Sequence, residues 1–311
     1  MATATQALDP ALFDPRAIAP DTRAFVDQLI EQTKQRTGTL ASGGARMPPS
    51  PQSDRARTRT IPGRDGRQVG IRILAPDSPK GVYLHLHGGG LVVGSAASQD
   101  PMLERIAKTT GLACVDVEYR LAPQHPYPAA WDDCEDVAVW LARSAKSEFG
   151  TDRLCIGGES AGATLAVPVL VRMRDRHGFT GFRAANLSYG NYDTSMTPSQ
   201  RWIGALGVLL RTIDIESCSD AYCPDRSRRR DPDVSAIYAK LEGMPPALLS
   251  VGTLDPFLDD SLFMYSRWIA AGNRAELAVY PGAPHGFNLF PLEVAQEANA
   301  RIDAFLASAL T

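Results

Sequence analysis

A serine between glycines is the strongest chemical signal in this chain. The pentapeptide at 158–162 has the pattern G-x-S-x-G and consists of Gly158, Glu159, Ser160, Ala161 and Gly162. An apolar run precedes it and a helical pattern follows it, so we expect Ser160 on a sharp, strained strand-to-helix turn for which the glycines make room. The turn would expose the hydroxyl as a nucleophile. The N–H of Ala161, at the start of the helix, would face developing negative charge.

A serine hydroxyl is a poor nucleophile unless a base removes its proton, and histidine is the usual base. The chain has five histidines, namely His85, His87, His125, His177 and His285. His285 lies in a loop directly after the last apolar run. Loops at the carboxyl ends of strands are where α/β sheets place functional residues. Elimination therefore selects His285 as the base.

The acid that orients the base should also follow a strand. Asp255 comes directly after the apolar run at 248–252, and Pro256 then begins the next helix. Asp259 and Asp260 lie about one helical turn later, where we expect them to support the loop or the helix N-terminus instead. Asp255 is therefore the predicted acid.

A glycine run supplies the fourth component. His87, Gly88, Gly89 and Gly90 follow the apolar run at 82–86. Acyl transfer passes through an oxyanion that needs preoriented N–H donors, and glycines let the backbone approach it. We assign Gly88, Gly89 and Ala161 as the donors. The alternatives are a flexible turn or a metal site on His85 and His87, but no carboxylate or third histidine is spaced to complete such a site.

The elements that must position these residues alternate between apolar runs and helical patterns. Residues 57–61 and 69–74 read as a hairpin. Further strands are predicted at 82–86, 112–117, 154–156, 184–187, 247–251 and 275–280, and helices at 100–109, 131–143, 161–176, 256–271 and 292–309. This order predicts an α/β fold, a mostly parallel sheet with helices on both faces and a mixed edge at the hairpin.

Two segments fall outside this alternation. Residues 9–36 have helical periodicity, interrupted by Pro10, Pro15 and Pro20, and the stretch 38–53, rich in Gly, Pro and Ser, reads as a linker with a domain boundary. Between Tyr192 and Asp233 the alternation lapses. That segment is interpreted as an insertion over one end of the sheet.

Composition excludes several other functions. The chain has 311 residues, of which 44% are hydrophobic, and a net charge of −3. This supports a sizeable core and gives no sign of a nucleic-acid partner. The longest apolar runs have about eight residues, against the ~20 that cross a bilayer. The first fifteen residues lack the basic and apolar blocks of a secretory signal, and the five cysteines are scattered. A soluble, cytoplasmic protein without a metal or membrane association is expected.

Together these motifs resemble the hormone-sensitive-lipase family of esterases, the bacterial family IV. The likeness rests on the glycine run at 87–90, the pentapeptide at 158–162, the segments 118–123 and 125–130, and the stretches at 255–260 and 285–287, over about residues 80–310. The order of Ser160, Asp255 and His285 along the chain is that of α/β-hydrolases. Three positions depart from the family pattern: Glu159, Gln124, and Pro168, which should kink the helix after the nucleophile.

The resemblance implies an eight-stranded α/β-hydrolase core, hydrolysis of carboxylic esters and no cofactor. It also implies a helical cap, built from residues 1–45 and from an insertion at 192–233. The catalytic core would then comprise 46–191 and 234–311. The expected substrates are small esters with short to medium acyl chains, because the chain lacks a lipid-interface patch.

Two other functions stay open at this point. The family includes plant hormone receptors that have lost the base histidine, whereas His285 is present here. An amidase or peptidase would use the same Ser-His-Asp groups. An edge strand near Leu277 and the last helix could pair two subunits as a homodimer.

Overall fold

A central β-sheet organises the protein. The computed structural model describes residues 8–43 and 50–311, and within them the sheet has eight strands. In chain order these are β1 (Arg57–Pro62), β2 (Gln68–Leu74), β3 (Gly81–Leu86), β4 (Leu112–Glu118), β5 (Leu154–Glu159), β6 (Phe182–Ser188), β7 (Ala247–Leu254) and β8 (Ala275–Pro284). Their order in space is β1-β2-β4-β3-β5-β6-β7-β8. The predicted α/β fold with a mostly parallel sheet is confirmed.

The edge of the sheet is mixed, as the hairpin predicted. Strand β2 pairs antiparallel with both β1 and β4, and every pairing from β4 to β8 is parallel. Parallel strands all end at the same edge of a sheet. The carboxyl ends of β3, β5, β7 and β8 therefore bring together loops that lie far apart in sequence.

Helices cover both faces of the sheet. The described helices are α1 (Pro20–Lys34), α2 (Asp100–Thr110), α3 (Ala129–Phe149), α4 (Ala161–His177), α5 (Pro198–Leu206), α6 (Thr212–Tyr222), α7 (Leu258–Ala270) and α8 (Glu293–Ser308). One apolar core lies under α3, α4 and α7, and a second lies under α2 and α8. Among the described helices, none has the length and apolarity to cross a bilayer.

The N-terminal segment is divided into short pieces at its prolines, as the sequence predicted. Residues Pro10–Phe13 and Pro15–Ala17 form short 3-10 helices, and only from Pro20 does an α-helix run. Asp9 and Asp14 accept hydrogen bonds from backbone N–H groups at the starts of the two short helices, so each turn is locally capped. The predicted domain boundary at residues 45 and 46 lies outside the described residues.

The observed bounds of two helices can be compared with the predicted ones. Helix α3 continues to Phe149, six residues beyond its predicted end at Arg143. Gly150, in the left-handed conformation, terminates it. Helix α4 continues through Pro168 to His177, so the proline does not end the helix.

Candidate active site

Ser160 lies on a strained turn between β5 and α4. Its φ of 56° falls in the left-handed region, where a side chain is disfavoured. The turn is pressed against β3: a Cβ on Gly162 would lie 1.7 Å from the carbonyl oxygen of Leu86, and one on Gly158 would lie 2.0 Å from the same atom. Both flanking glycines are thus required by close backbone approach. The turn projects the Ser160 side chain beyond the edge of the sheet.

His285 and Asp255 meet Ser160 at this edge. The Nε2 of His285 is 2.9 Å from the Ser160 Oγ, and its Nδ1 is 2.9 Å from an oxygen of Asp255. Asp255 is fully buried and also accepts the backbone N–H of Phe257 at 2.8 Å. Because a carboxylate can only accept, Nδ1 carries the hydrogen and Nε2 is free to accept the Ser160 proton. The three predicted residues are therefore in sequential hydrogen-bond contact.

Two aromatic side chains that sequence reasoning missed hold the imidazole in place. Tyr189 and Phe257 contact the His285 ring edge-on, with ring centroids 5.0 and 5.2 Å apart. The Tyr189 hydroxyl in turn donates to Asn288. Phe257 stands two residues after Asp255, and Tyr189 directly follows β6. Both could have been found in the sequence as aromatic residues close to the carboxyl end of a strand.

The glycine run forms a tight loop beside the nucleophile. Gly88 lies against the Ser160 turn, since a Cβ there would come within 3.5 Å of the Ser160 Cβ. Gly89 has a φ of 121°, and a Cβ on it would lie 2.0 Å from the Val93 carbonyl oxygen. Only glycine fits that position. The three glycines and Ala161 line one cavity with Ser160.

His87 supports this loop from behind. Its ring stacks on Tyr119 with centroids 4.0 Å apart, and the Tyr119 hydroxyl donates to the His87 carbonyl oxygen at 2.7 Å. Its Nδ1 donates to the Gly88 carbonyl oxygen at 2.8 Å. Burial lowers the pKa of His87, which keeps the ring neutral. His85, its neighbour on the strand, turns instead to the carboxylates of Asp116 and Glu159.

The cavity over Ser160 has a volume of about 610 Å³. Much of its wall is apolar and comes from outside the sheet: Leu40, Leu209, Leu210, Ile215, Cys218 and Phe290. Leu40 and Cys218 press directly on the glycine loop, where a Cβ on Gly90 would lie 2.7 Å from the Cys218 Sγ. The segment after α1 and helix α6 therefore shape the space in which a ligand of Ser160 would lie.

A buried carboxylate ties those two parts of the wall together. Asp214, fully buried in the first turn of α6, pairs with Arg36 and Arg211 and accepts the Leu40 N–H at 3.0 Å. Arg36 also donates to the Leu209 carbonyl oxygen at 2.9 Å. Arg36 lines the cavity while its terminal nitrogens bond Leu209 and Asp214, a carboxylate that it shares with Arg211.

Asp260 is a structural residue, as the sequence suggested. It is fully buried in the first turn of α7 and accepts four hydrogen bonds from the segment after β6. The donors are the backbone N–H groups of Tyr192 and Asp193 and the side chains of Thr197 and Gln200. Asp259, which is partly exposed, accepts only the Ser199 N–H at 2.8 Å among the described residues.

This difference gives a first prediction. Asp260→Asn should lower the free energy of unfolding by about 1–3 kcal/mol, because an amide NH₂ would then face N–H donors in a buried site. Any activity that depends on Ser160 should change far less than in an Asp255 variant. Denaturant unfolding measures the loss, with Asp259→Asn as the matched control. Equal stability of the two variants would contradict this role of Asp260.

Comparison with known proteins agrees with the geometry. A profile of the alpha/beta hydrolase fold family matches residues 83–289. The carboxylic ester hydrolase LipN of Mycobacterium tuberculosis is 33% identical over 214 residues, which are 66% of this chain and 57% of LipN. The ethyl acetate hydrolase of Pseudomonas putida is 33% identical over 233 residues, 72% of this chain and 73% of that protein.

Solved structures give the same result. An esterase from the bacterial hormone-sensitive lipase family is 27% identical, with a TM-score of 0.78 over 95% of this chain and all of the other. The chain therefore belongs to the alpha/beta hydrolase fold family, and its class is that of the carboxylic ester hydrolases. The resemblance to the hormone-sensitive-lipase group is confirmed.

Proposed function

We propose that the protein is a serine carboxylesterase in which Ser160 is the nucleophile, His285 the base and Asp255 the orienting acid. The observation that carries the proposal is the chain of contacts from Asp255 through His285 to Ser160, each 2.9 Å long, opening into the cavity. Nucleophile, base and acid in sequential contact are the geometry that acyl transfer requires.

The reaction follows from these contacts. The Ser160 Oγ attacks the ester carbonyl carbon while its proton passes to His285 Nε2. The resulting oxyanion is stabilised by the N–H groups of Gly88, Gly89 and Ala161. The ester C–O bond then breaks, and the alcohol leaves with the proton from His285. Water, deprotonated by the same imidazole, hydrolyses the acyl-enzyme and restores Ser160.

Asp255 acts through His285. Its carboxylate fixes the ring with hydrogen on Nδ1 and stabilises the imidazolium that forms when Nε2 takes the proton. The burial of Asp255 strengthens this interaction, because little water screens it. The mechanism uses no metal or cofactor.

Small esters with short to medium acyl chains are the proposed substrates. The cavity of about 610 Å³ is mainly apolar, and Arg36, which lines it, is paired with the buried Asp214. Such a site favours an uncharged ester of modest size. The relatives named carboxylic ester hydrolase and ethyl acetate hydrolase support this substrate class.

Turnover of p-nitrophenyl esters from acetyl to decanoyl, compared with the matching p-nitroanilides, tests this function. We expect hydrolysis of the esters, fastest among the shorter acyl groups, and little or none of the anilides. Faster anilide turnover would make the protein an amidase. Binding of esters without any turnover would identify a receptor and contradict the proposal.

The proposed cap consists of residues 1–45 and 192–233 over the core at 46–191 and 234–311. Its support is that α1 packs on the stretch after α5, through Val26, Leu29 and Val208, while Leu40 and α6 line the cavity. A homodimer through the edge strand β8 and helix α8, and a cytoplasmic location, stay predictions.

Removing the first part of this cap gives a second prediction. Deletion of residues 1–43 should raise KM and alter acyl-chain preference, because Leu40 and the Arg36–Asp214 pair would be lost from the cavity wall. The newly exposed apolar surface should promote aggregation. Kinetics across the acyl series and light scattering measure both effects. The control is deletion of residues 1–9, which keeps α1; unchanged kinetics in the longer deletion would show that the segment has no catalytic role.

A further inference from the structure

A buried charged cluster lies directly behind the nucleophile and is not used by the mechanism above. His85 in β3 is fully buried between two carboxylates. Its Nε2 is 2.7 Å from an Oε of Glu159, and its Nδ1 is 3.1 Å from an Oδ of Asp116. Asp116 is fully buried and Glu159 nearly so.

The sheet register explains why the three side chains meet. His85 is directly paired with Asp116 of β4 on one side and with Gly157 of β5 on the other. Alternate residues of a strand share a face, so Glu159, two positions beyond Gly157, lies on the same face as His85. Three neighbouring strands thus each contribute one member of the cluster.

The two neighbouring carboxylates favour a charged His85 imidazole. Nε2 of His85 is hydrogen-bonded to Glu159, and Nδ1 lies 3.1 Å from an Asp116 oxygen at ion-pair distance. Two carboxylates next to one buried imidazole favour its charged form. Burial by itself lowers the pKa of His85, but Asp116 and Glu159 raise it to about 10. Further titratable groups interact with the two carboxylates. They are Tyr83 and Tyr189 near Glu159, and His87, Cys114, Tyr119 and Cys134 near Asp116.

One end of this cluster is covalently next to the reacting atom. Glu159 immediately precedes Ser160, whose φ of 56° the fold must hold against strain. On the other side of the turn, Gly162 packs on the Leu86 carbonyl oxygen, one residue from His85. Strand β3 therefore contacts the turn through backbone at Gly162 and through an ion pair at Glu159.

We propose that the His85–Glu159 ion pair, backed by Asp116, is a positioning device for the nucleophile that fixes the Ser160 turn against β3. Both residues act through Ser160: the Glu159 carboxylate is held by His85 at 2.7 Å, although Glu159 also contributes to the cavity lining. The inference rests on the proposed function of Ser160, and it adds two residues to the determinants of its reactivity. Loss of the pair lets the turn relax, which moves the Ser160 Oγ relative to His285 and the glycine loop.

The test compares two glutamates changed in the same way. Glu159→Gln removes the charge next to Ser160, whereas Glu135→Gln removes a buried glutamate charge on α3, where it pairs with Arg172, His177 and other cations away from the site. Both should lower the thermal midpoint. Only Glu159→Gln should lower kcat, by about ten- to a hundredfold for a displaced reacting group, with little change in KM.

Two further readouts separate positioning from stability alone. Glu159→Asp keeps the charge one methylene further from His85 and should recover part of the lost kcat. In the wild type, loss of the His85 proton at alkaline pH breaks the ion pair, so kcat should fall there. In Glu159→Gln, which already lacks the pair, this alkaline fall should be lost. Glu135→Gln should keep the alkaline fall of kcat seen in the wild type.

The contradicting result is equally distinct. If Glu159→Gln loses only thermal stability, with kcat and its pH profile like those of Glu135→Gln, the ion pair has no positioning role. If Glu159→Gln does not fold, Glu159→Asp decides in its place: a reduced kcat in a folded protein supports the proposal and an unchanged kcat overturns it. Labelling of wild-type Ser160 by an organophosphonate is checked first, since its failure would refute the proposed function instead.

Discussion

Ser160→Ala is expected to lower kcat for p-nitrophenyl acetate by about 10⁶-fold, the scale of loss when a nucleophile of this type is removed. The hydroxyl is the group that attacks the carbonyl carbon. Among the described residues it forms a hydrogen bond with His285 Nε2. Alanine keeps the Cβ, so the turn and the neighbouring glycines need not move. Steady-state kinetics with single-turnover checks measure the loss.

Folding must stay intact for this result to be informative. Removing the hydroxyl opens no buried cavity, and the Ser160 backbone N–H still donates to the Ser188 carbonyl oxygen at 2.9 Å. The thermal midpoint should therefore stay close to that of the wild type. Ser147→Ala on α3, whose hydroxyl donates to the Ser144 carbonyl oxygen within its own helix, is the matched control. Substantial esterase activity in a folded Ser160→Ala variant would contradict the assignment.

Asp255→Asn is expected to lower kcat by about 10⁴-fold, as for other triads in which the acid is replaced by its amide. The amide NH₂ would face Nδ1 and favour the tautomer with hydrogen on Nε2, which cannot accept the Ser160 proton. The effect is on kcat, since the carboxylate is buried behind His285 and away from the cavity. Kinetics on the folded variant measure it.

The neighbouring acids provide the controls for that experiment. Asp259→Asn changes a partly exposed carboxylate that accepts one described hydrogen bond, and it should leave kcat near the wild type. Asp260→Asn should cost mainly stability. If either variant lowers kcat in the folded protein more than Asp255→Asn, the choice of the acid by strand position is wrong.

The fold could be predicted because its signals are local. Apolar runs alternate with helical patterns from Val82 onward, and this order allows few arrangements other than a parallel sheet. The errors have local causes as well. The end of α3, from Ser144 to Phe149, is polar on its outer face and carries a weak apolar pattern. At the N-terminus, by contrast, the breaks predicted at Pro10, Pro15 and Pro20 are the starts of two 3-10 helices and of α1.

Only the site residues that belong to short sequence motifs could be predicted. The pentapeptide around Ser160 and the glycine run each need particular residues at fixed spacing, and the structure brings both into one cavity. Tyr189, Leu40 and Asp214 were missed because their roles depend on packing between distant segments. The contact of His85 with Glu159 depends on the register of β3 and β5, which composition and spacing do not reveal.

Covalent labelling tests the central claim most directly. An organophosphonate ester should react with the wild-type protein one-to-one and abolish esterase activity, and mass mapping of the peptides should find the adduct on Ser160. Asp255→Asn should react far more slowly, because His285 can no longer activate the hydroxyl. An adduct on any other residue, or full inactivation without an adduct on Ser160, would contradict the account.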